Sequence, residues 1–229
     1  MNIGICNLSI IPLRRTASHR SEMVSQVLFG EYFEILDDQG EWIFVRLIDV
    51  LYEGWILRGQ FEMVDFDLYK ANLDYKNSIV DITGAEVWKN NKMLTNLLPG
   101  TLVSEVYTKG NASIPYLVHG NLRTATLGDF ETEFPKLINY YINSPYLWGG
   151  RSHLGIDCSG FSQALYRHFG VKLLRDAYQQ AEEGIVVDFL TEVKSGDLAF
   201  FDNEQGNITH VGVMLDNEYI IHASAKVRI

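Results

Sequence analysis

The chain has 229 residues, 47% of them hydrophobic and 21% charged, with five prolines and a net charge of −10. These figures exclude a disulfide miniprotein and the disordered, collagen-like and low-complexity classes, and a chain this long can bury a real core. The acidic balance argues against a nucleic-acid or anionic-membrane surface.

The first fifteen residues place their charges after a short apolar run and lack a basic region followed by a small-residue cleavage site. No later stretch approaches the ~20 apolar residues that a spanning helix needs. The expectation is a soluble, cytoplasmic chain with no membrane partner; a leader missing from the sequence would make it an exported one. Cys6 and Cys158 cannot build a disulfide framework. Cys6, between Ile5 and Leu8 in a strand-like run, reads as a small buried hydrophobe.

Residues 23–29, 32–36, 42–48 and 54–57 are β-branched and aromatic runs separated by turn residues such as Gly30-Glu31 and Asp37-Asp38-Gln39-Gly40, the pattern of a small β-barrel. A second series at 79–87, 102–107, 114–118 and 122–127 is broken at Asn90-Asn91, Pro99-Gly100, Lys109-Gly110-Asn111 and His119-Gly120-Asn121. Residues 64–76, rich in Asp, Lys and Tyr, form the joint. After Gly128 the spacing turns helical: Phe134, Ile138 and Tyr141 share a stripe, with Asp129 as cap and Pro135 expected in the first turn. A second helix opens at Asp157-Cys158-Ser159-Gly160-Phe161, its stripe made by Phe161, Ala164, Leu165 and Phe169, with Gly170 closing it. A shorter helix is predicted from Asp176 to Glu183. Beyond Gly196-Asp197 a period of two predicts four antiparallel strands, so helices precede a sheet in an α+β arrangement.

Cys158 carries the sharpest chemical signal. At a helix start its sulfur would face free N–H groups and the positive end of the dipole, which lowers a thiol pKa and suits a nucleophile. The bland alternative, a small residue filling a helix start, is weakened by Trp148-Gly149-Gly150 upstream, where backbone can approach closely, and by His210 and His222 in strands downstream. A three-residue turn at Leu215-Asp216-Asn217, with Asn217 accepting positive φ, would set His210 directly opposite His222 on one face, beside space left by Gly212. The Cys and His residues lack zinc-ligand spacing, so neither a metal nor another cofactor is expected.

The segments PYLWGG (145–150), DCSGF (157–161), SGDLAFF (195–201), THVGV (209–213) and IIHAS (220–224), in that order, resemble the NlpC/P60 family of papain-like cysteine peptidases. The resemblance covers residues 129–229 and implies Cys158 as nucleophile, His210 as general base and acid, His222 as the residue orienting that base, and Tyr146 as support for the oxyanion. Residues 1–64 and 65–128 resemble the paired bacterial SH3-like domains that precede this module in cytoplasmic murein-peptide recycling enzymes, on Ser21-Glu22-Met23, Leu28-Phe29-Gly30-Glu31 and Tyr52-Glu53-Gly54-Trp55-Ile56. Such enzymes are γ-D-glutamyl-L-diamino-acid endopeptidases. The resemblance then implies a murein tripeptide or tetrapeptide substrate with a free L-Ala amine and diaminopimelate or Lys in third place. It implies that Arg175-Asp176 matches the pair whose carboxylate binds the amine, that Trp148, Asp157 and Ser159 line the substrate site, and that Glu22 and Tyr52 contribute from the first β domain. Family members generally extend past the strand that follows the third polar residue, whereas this sequence stops at Ile229.

Two other readings stay open at this stage. One is an exported cell-wall hydrolase that uses its β domains for wall binding; the other is a catalytically weak protein that binds wall peptides. Oligomeric state is not indicated.

Overall fold

A computed structural model describes residues 2–73, 77–104 and 116–229. It separates into two units, Met1–Ala125 and Thr126–Ile229. The division precedes the expected one after Gly128 because Thr126 already begins the second unit: its hydroxyl accepts from the Gly128 N–H at 3.2 Å, capping a 3₁₀ turn over Leu127–Asp129.

The first unit opens with seven strands, β1 (Ile3–Cys6), β2 (Ile10–Arg14), β3 (Met23–Leu28), β4 (Tyr32–Gln39), β5 (Trp42–Leu47), β6 (Glu53–Leu57) and β7 (Phe61–Val64), in the sheet order β3-β2-β6-β5-β4-β1-β7. Alternation makes the core: Ile43, Val45 and Leu47 point inward from β5 and pack with Ile11, Leu13, Val27, Phe33, Ile56 and the buried Cys6. Burial pushes the Cys6 thiol up to about 12, so this cysteine is an inert hydrophobe. Strands β2 and β7 escape the sequence pattern, whereas β1 is the strand-like run that carries Cys6. In β7 the run is only four residues long, and β2 carries Pro12, tolerated because β2 meets β6 only at Arg14↔Trp55.

Helix α1 (Phe66–Leu73) occupies the expected joint. It leads to a second sheet in which β8 (Asn77–Lys89) pairs with β9 (Lys92–Leu97), β10 (Leu102–Ser104) and β11 (Tyr116–Thr124). Asn90 and Asn91 both have positive φ, 53° and 60°, as a two-residue hairpin turn requires, and they connect β8 to a strand whose lack of alternation conceals it in the sequence. The expected break at His119-Gly120-Asn121 is instead a bulge within the continuous β11, with Gly120 at φ 149° against Ala85. Residues 74–76 of the joint and 105–115 of the expected strands lie outside the described residues. Ile5 and Phe29 of the first sheet join Val80, Val87, Val103 and Tyr116 of the second in one apolar cluster.

The second unit begins with α2 (Phe130–Tyr141), which buries Phe134, Leu137, Ile138 and Tyr141. Asp129 precedes it without a side-chain cap, and Pro135 lies past the first turn, opposite to expectation. The carbonyl it leaves without an intrahelical partner belongs to the exposed Glu131, where water can satisfy it. A two-stranded hairpin, β12 (Arg151–Ser152) and β13 (Gly155–Ile156), precedes α3 (Cys158–Arg167) and the one-turn α4 (Ala177–Gln180). The sheet β14 (Leu198–Asp202), β15 (Ile208–Met214), β16 (Ile220–Ser224), β17 (Lys226–Arg228) follows, antiparallel and in chain order. No helix among the described residues is long and apolar enough to cross a membrane.

Candidate active site

Asp157, in extended conformation, caps α3: its Oδ1 accepts from the Gly160 N–H at 2.7 Å and its Oδ2 from the Gly149 N–H at 2.8 Å. The carboxylate thus ties the Trp148-Gly149-Gly150 turn to the helix start. Gly160 has no room for a side chain, since a Cβ would overlap the Gly150 carbonyl oxygen and lie 2.9 Å from Asp157 Oδ1. The close approach suggested by the glycines is therefore one of backbone on backbone beneath Cys158.

Cys158 opens the helix but is only 7% exposed. Burial, and then the adjacent Asp157 carboxylate, push its thiol pKa above the ordinary value, against the smaller stabilising effects of backbone hydrogen bonds at Val211 and Ser159 and of the Arg175 charge. The expected lowering by the helix start is outweighed by desolvation, so the resting sulfur is a neutral thiol that needs a base. Tyr146 lies within electrostatic reach of Cys158. Its hydroxyl is pushed up to about 12, chiefly by burial and then by Cys158 and Asp157, so it remains a proton donor at neutral pH.

The thiol reaches β15 at Val211, the neighbour of His210. His210 and His222 meet with Nε2 to Nδ1 at 2.8 Å and rings nearly perpendicular. Direct opposition does not occur: His222 faces Gly212, and the two imidazoles touch along the diagonal. The reason is the loop. Leu215 pairs with Tyr219, and Asp216 Oδ1 accepts from the N–H groups of Glu218 and Tyr219, so the turn centres on Asn217 without needing a positive φ there. The odd loop still keeps both histidines on one face. Gly212 leaves no void beside them; the Ile220 side chain fills that place, and a Cβ would also lie 3.1 Å from His222 Cβ.

Burial lowers both imidazole pKa values; for His210 the neighbouring His222 adds to this, and for His222 the charge of Arg228 does. With both neutral, one proton lies between them. If His210 donates through Nε2, its Nδ1 is a free base.

The other expected substrate residues separate into two groups. Asp157, Ser159 and Arg175 are buried together, Arg175 gripping Asp157 through both guanidinium nitrogens and Ser159 Oγ through one at 2.9 Å. They hold the start of α3 through hydrogen bonds to one another and to the Gly149 and Gly160 N–H groups. Trp148 is 58% exposed, and the half-buried Asp176 leads α4, its N–H held by Gln179 Oε1 at 3.0 Å. Glu22 and Tyr52 belong to the first unit, where Glu22 pairs with Arg15 and Tyr52 packs on the core of the seven-stranded sheet. Sequence reasoning passed over Gln180, fully buried, which binds Ser162 Oγ and the carbonyls of Ser159 and Leu174 and so fixes α4 to the start of α3. It also passed over Phe201, directly opposite His210 with ring centroids 5.8 Å apart. No cluster of three potential metal-ligating side chains occurs among the described residues.

Residues 143–229 match the model of the NlpC/P60 family, and residues 13–61 match that of the bacterial dipeptidyl-peptidase Sh3 domain. The chain is 28% identical over 222 residues to a γ-D-glutamyl-L-lysine dipeptidyl-peptidase of Bacillus subtilis, covering 87% of this chain and 71% of that protein. It is 28% identical over 233 residues to dipeptidyl-peptidase 6 of Lysinibacillus sphaericus, covering 89% and 81%. The fold is shared with the crystal structure of an NlpC/P60 family protein from Bacillus cereus, with a TM-score of 0.80, 19% identity and coverage of 99% of this chain and 93% of that one.

Proposed function

This chain is an NlpC/P60 cysteine peptidase with a bacterial SH3 domain ahead of the peptidase unit, and from that premise we propose that it hydrolyses the γ-D-Glu–diamino-acid bond of murein peptides whose N-terminal L-Ala is free. The observation that carries the reaction is the 2.8 Å contact of His210 Nε2 with His222 Nδ1, on a strand whose next residue, Val211, meets the buried Cys158 thiol. In this reading the shared proton sits on His210 Nε2, which leaves Nδ1 to take the proton from the Cys158 thiol as sulfur attacks the γ-carbonyl carbon. The new oxyanion meets the Cys158 N–H and the protonated Tyr146 hydroxyl. Protonated His210 gives its proton to the leaving amine of the diamino acid as the C–N bond breaks, forming a thioester. A water deprotonated by His210 then attacks that thioester, releasing the dipeptide and restoring the thiol.

The names of the relatives support the choice of bond. The half-buried Asp176, beside the fixed start of α3, supports recognition of an ammonium group, since a carboxylate kept from bulk water binds a cation strongly and rejects a neutral group. An enzyme that demands a free amine acts on released peptides, which is a recycling role within the cell. The test is cleavage of L-Ala-γ-D-Glu-diaminopimelate and its Lys counterpart, each with free and with N-acetylated alanine, followed by mass detection of L-Ala-γ-D-Glu. Acetylation removes the charge and sets a neutral, bulkier amide against the carboxylate, which costs roughly 2–5 kcal/mol, a loss of tens- to thousands-fold in kcat/KM. Equal rates on free and acetylated peptides, or release of fragments from intact wall, would return the protein to the wall-hydrolase reading.

A further inference from the structure

The functional face of the second unit's sheet carries a row of four side chains, one per strand. Phe201 on β14 is directly opposite His210 on β15, His210 meets His222 on β16 along the diagonal, and His222 is directly opposite Arg228 on β17. Sulfur chemistry uses the middle of this row. Its far end is an exposed guanidinium that pairs with no carboxylate among the described residues, so its charge acts on whatever stands across the ladder. Directly opposed Cβ atoms lie ~5 Å apart.

We propose that Arg228 is a positioning residue of the peptidase: placed across the ladder from His222, its charge keeps that imidazole in the neutral form that can accept the His210 proton. The step depends on the reading of His210 as general base. If His222 gains a proton, its Nδ1 becomes a donor, His210 Nε2 must turn acceptor, and the His210 proton moves to Nδ1, the nitrogen that should deprotonate the thiol. One protonation on the third residue thereby switches off the base on the neighbouring strand.

Other groups near His222 do not serve this purpose. From β15 comes His210, itself neutral, and from α3 the Cys158 thiol, neutral at rest. On β17, Lys226 is opposite Ser224 and its Nζ donates to Asn143 Oδ1 at 2.6 Å. Arg228 is the charge that faces the ring, and the lowering of the His222 pKa by it agrees with the placement.

The experiment compares pH profiles of kcat and kcat/KM for the full chain, Arg228→Lys and Arg228→Gln at low and high salt, beside a nuclear magnetic resonance titration of His222 in each. A unit charge ~7–10 Å away, as at the tip of a side chain on the opposed position, shifts a neighbouring pKa in high dielectric by about 0.3–0.5 unit at low salt and by less when screened. Arg228→Gln should therefore move the acid limb of kcat up by that amount, a loss of about two- to threefold on the limb, with the plateau unchanged. Arg228→Lys should restore the wild-type limb, and high salt should bring the wild type toward the Gln variant. An unmoved limb and an unmoved His222 titration overturn the proposal; a raised KM with an unmoved limb makes Arg228 a substrate contact instead. Should Arg228→Gln fail to fold, the salt dependence of the His222 titration in the wild type decides alone, a pKa independent of salt refuting the idea. A wild type that leaves the γ-D-Glu peptide intact would defeat the substrate reading, while the His222 titration would still judge Arg228.

Discussion

Asp157 and Arg175 form a bidentate ion pair inside the second unit, Nη2 to Oδ2 at 2.6 Å and Nη1 to Oδ1 at 3.1 Å, with Arg175 1% and Asp157 5% exposed. The same carboxylate caps α3 and holds the Gly149 N–H, so the pair fixes the orientation of the Cys158 backbone. Arg175→Met should strand a buried charge and cost about 3–5 kcal/mol, read as a fall in the unfolding midpoint of the peptidase unit. Asp157→Asn keeps a capping side chain but strands the arginine. The double variant should recover part of the loss, and a double-mutant cycle with no coupling would show that the pair does not act as a unit.

Cys158→Ala and His210→Ala should each abolish turnover while the far-ultraviolet circular dichroism and melting temperature stay close to wild type, since water replaces neither role at neutral pH. His222→Asn should retain part of kcat because an amide oxygen can accept from His210 Nε2, and it should lose the acid sensitivity that comes from protonating residue 222. His222→Ala should lose more. Equal rates in the two variants would speak against an orienting hydrogen bond.

Much of this arrangement is legible in the sequence because local rules act on it. The helix beginning at Cys158 follows from an aspartate cap and an apolar stripe, and the common face of the two histidines follows from the odd length of their loop. What escapes depends on groups distant in the chain. The diagonal contact of His210 with His222 was hidden because the Leu215–Tyr219 pair and the Asp216 turn move the loop centre by one residue. The sequence points to a lowered Cys158 pKa because the helix start is local, whereas the burial that overrides it comes from Ala177 and Val211, which pack with Cys158. Strand β9 escapes because its apolar residues do not alternate: Met93 and Leu94 are neighbours and both exposed, and only Leu97 is buried.

Glycine substitutions separate the two kinds of close packing at the site. Gly160→Ala drives a methyl group into the Gly150 carbonyl, a backbone atom that cannot yield without displacing the turn under Cys158. Gly212→Ala meets first the terminal carbons of the Ile220 side chain, which can rotate away, and then His222 Cβ. Overpacking of this sort costs about 1–3 kcal/mol. Gly160→Ala should fall at or beyond the upper end and lose activity, and Gly212→Ala should be milder in stability but still depress kcat by shifting His222. A denaturant series with parallel kinetics checks the order, and a more stable Gly160→Ala than Gly212→Ala would contradict it.

His153, in the turn between β12 and β13, sets an acid limit on stability that is separate from catalysis. Its Nδ1 is buried without a hydrogen-bond partner among the described residues, its ring lies 5.0 Å from that of Tyr140, and burial lowers its pKa. A histidine held neutral in the fold takes up its proton more readily when unfolded. The unfolded chain therefore binds more protons once pH falls below its ordinary value of about 6.5, and stability declines from there down to the depressed folded value, then levels off. His210 and His222, lowered for the same first reason, add to the decline. His153→Phe removes one of the three contributions and keeps an aromatic ring against Tyr140. The melting temperature of this variant should fall less steeply than wild type between about pH 7 and pH 5, and at neutral pH the variant should gain about 1 kcal/mol from losing an unpaired buried nitrogen. Parallel melting curves across that interval would show that His153 reaches solvent and takes up its proton as freely in the fold as out of it.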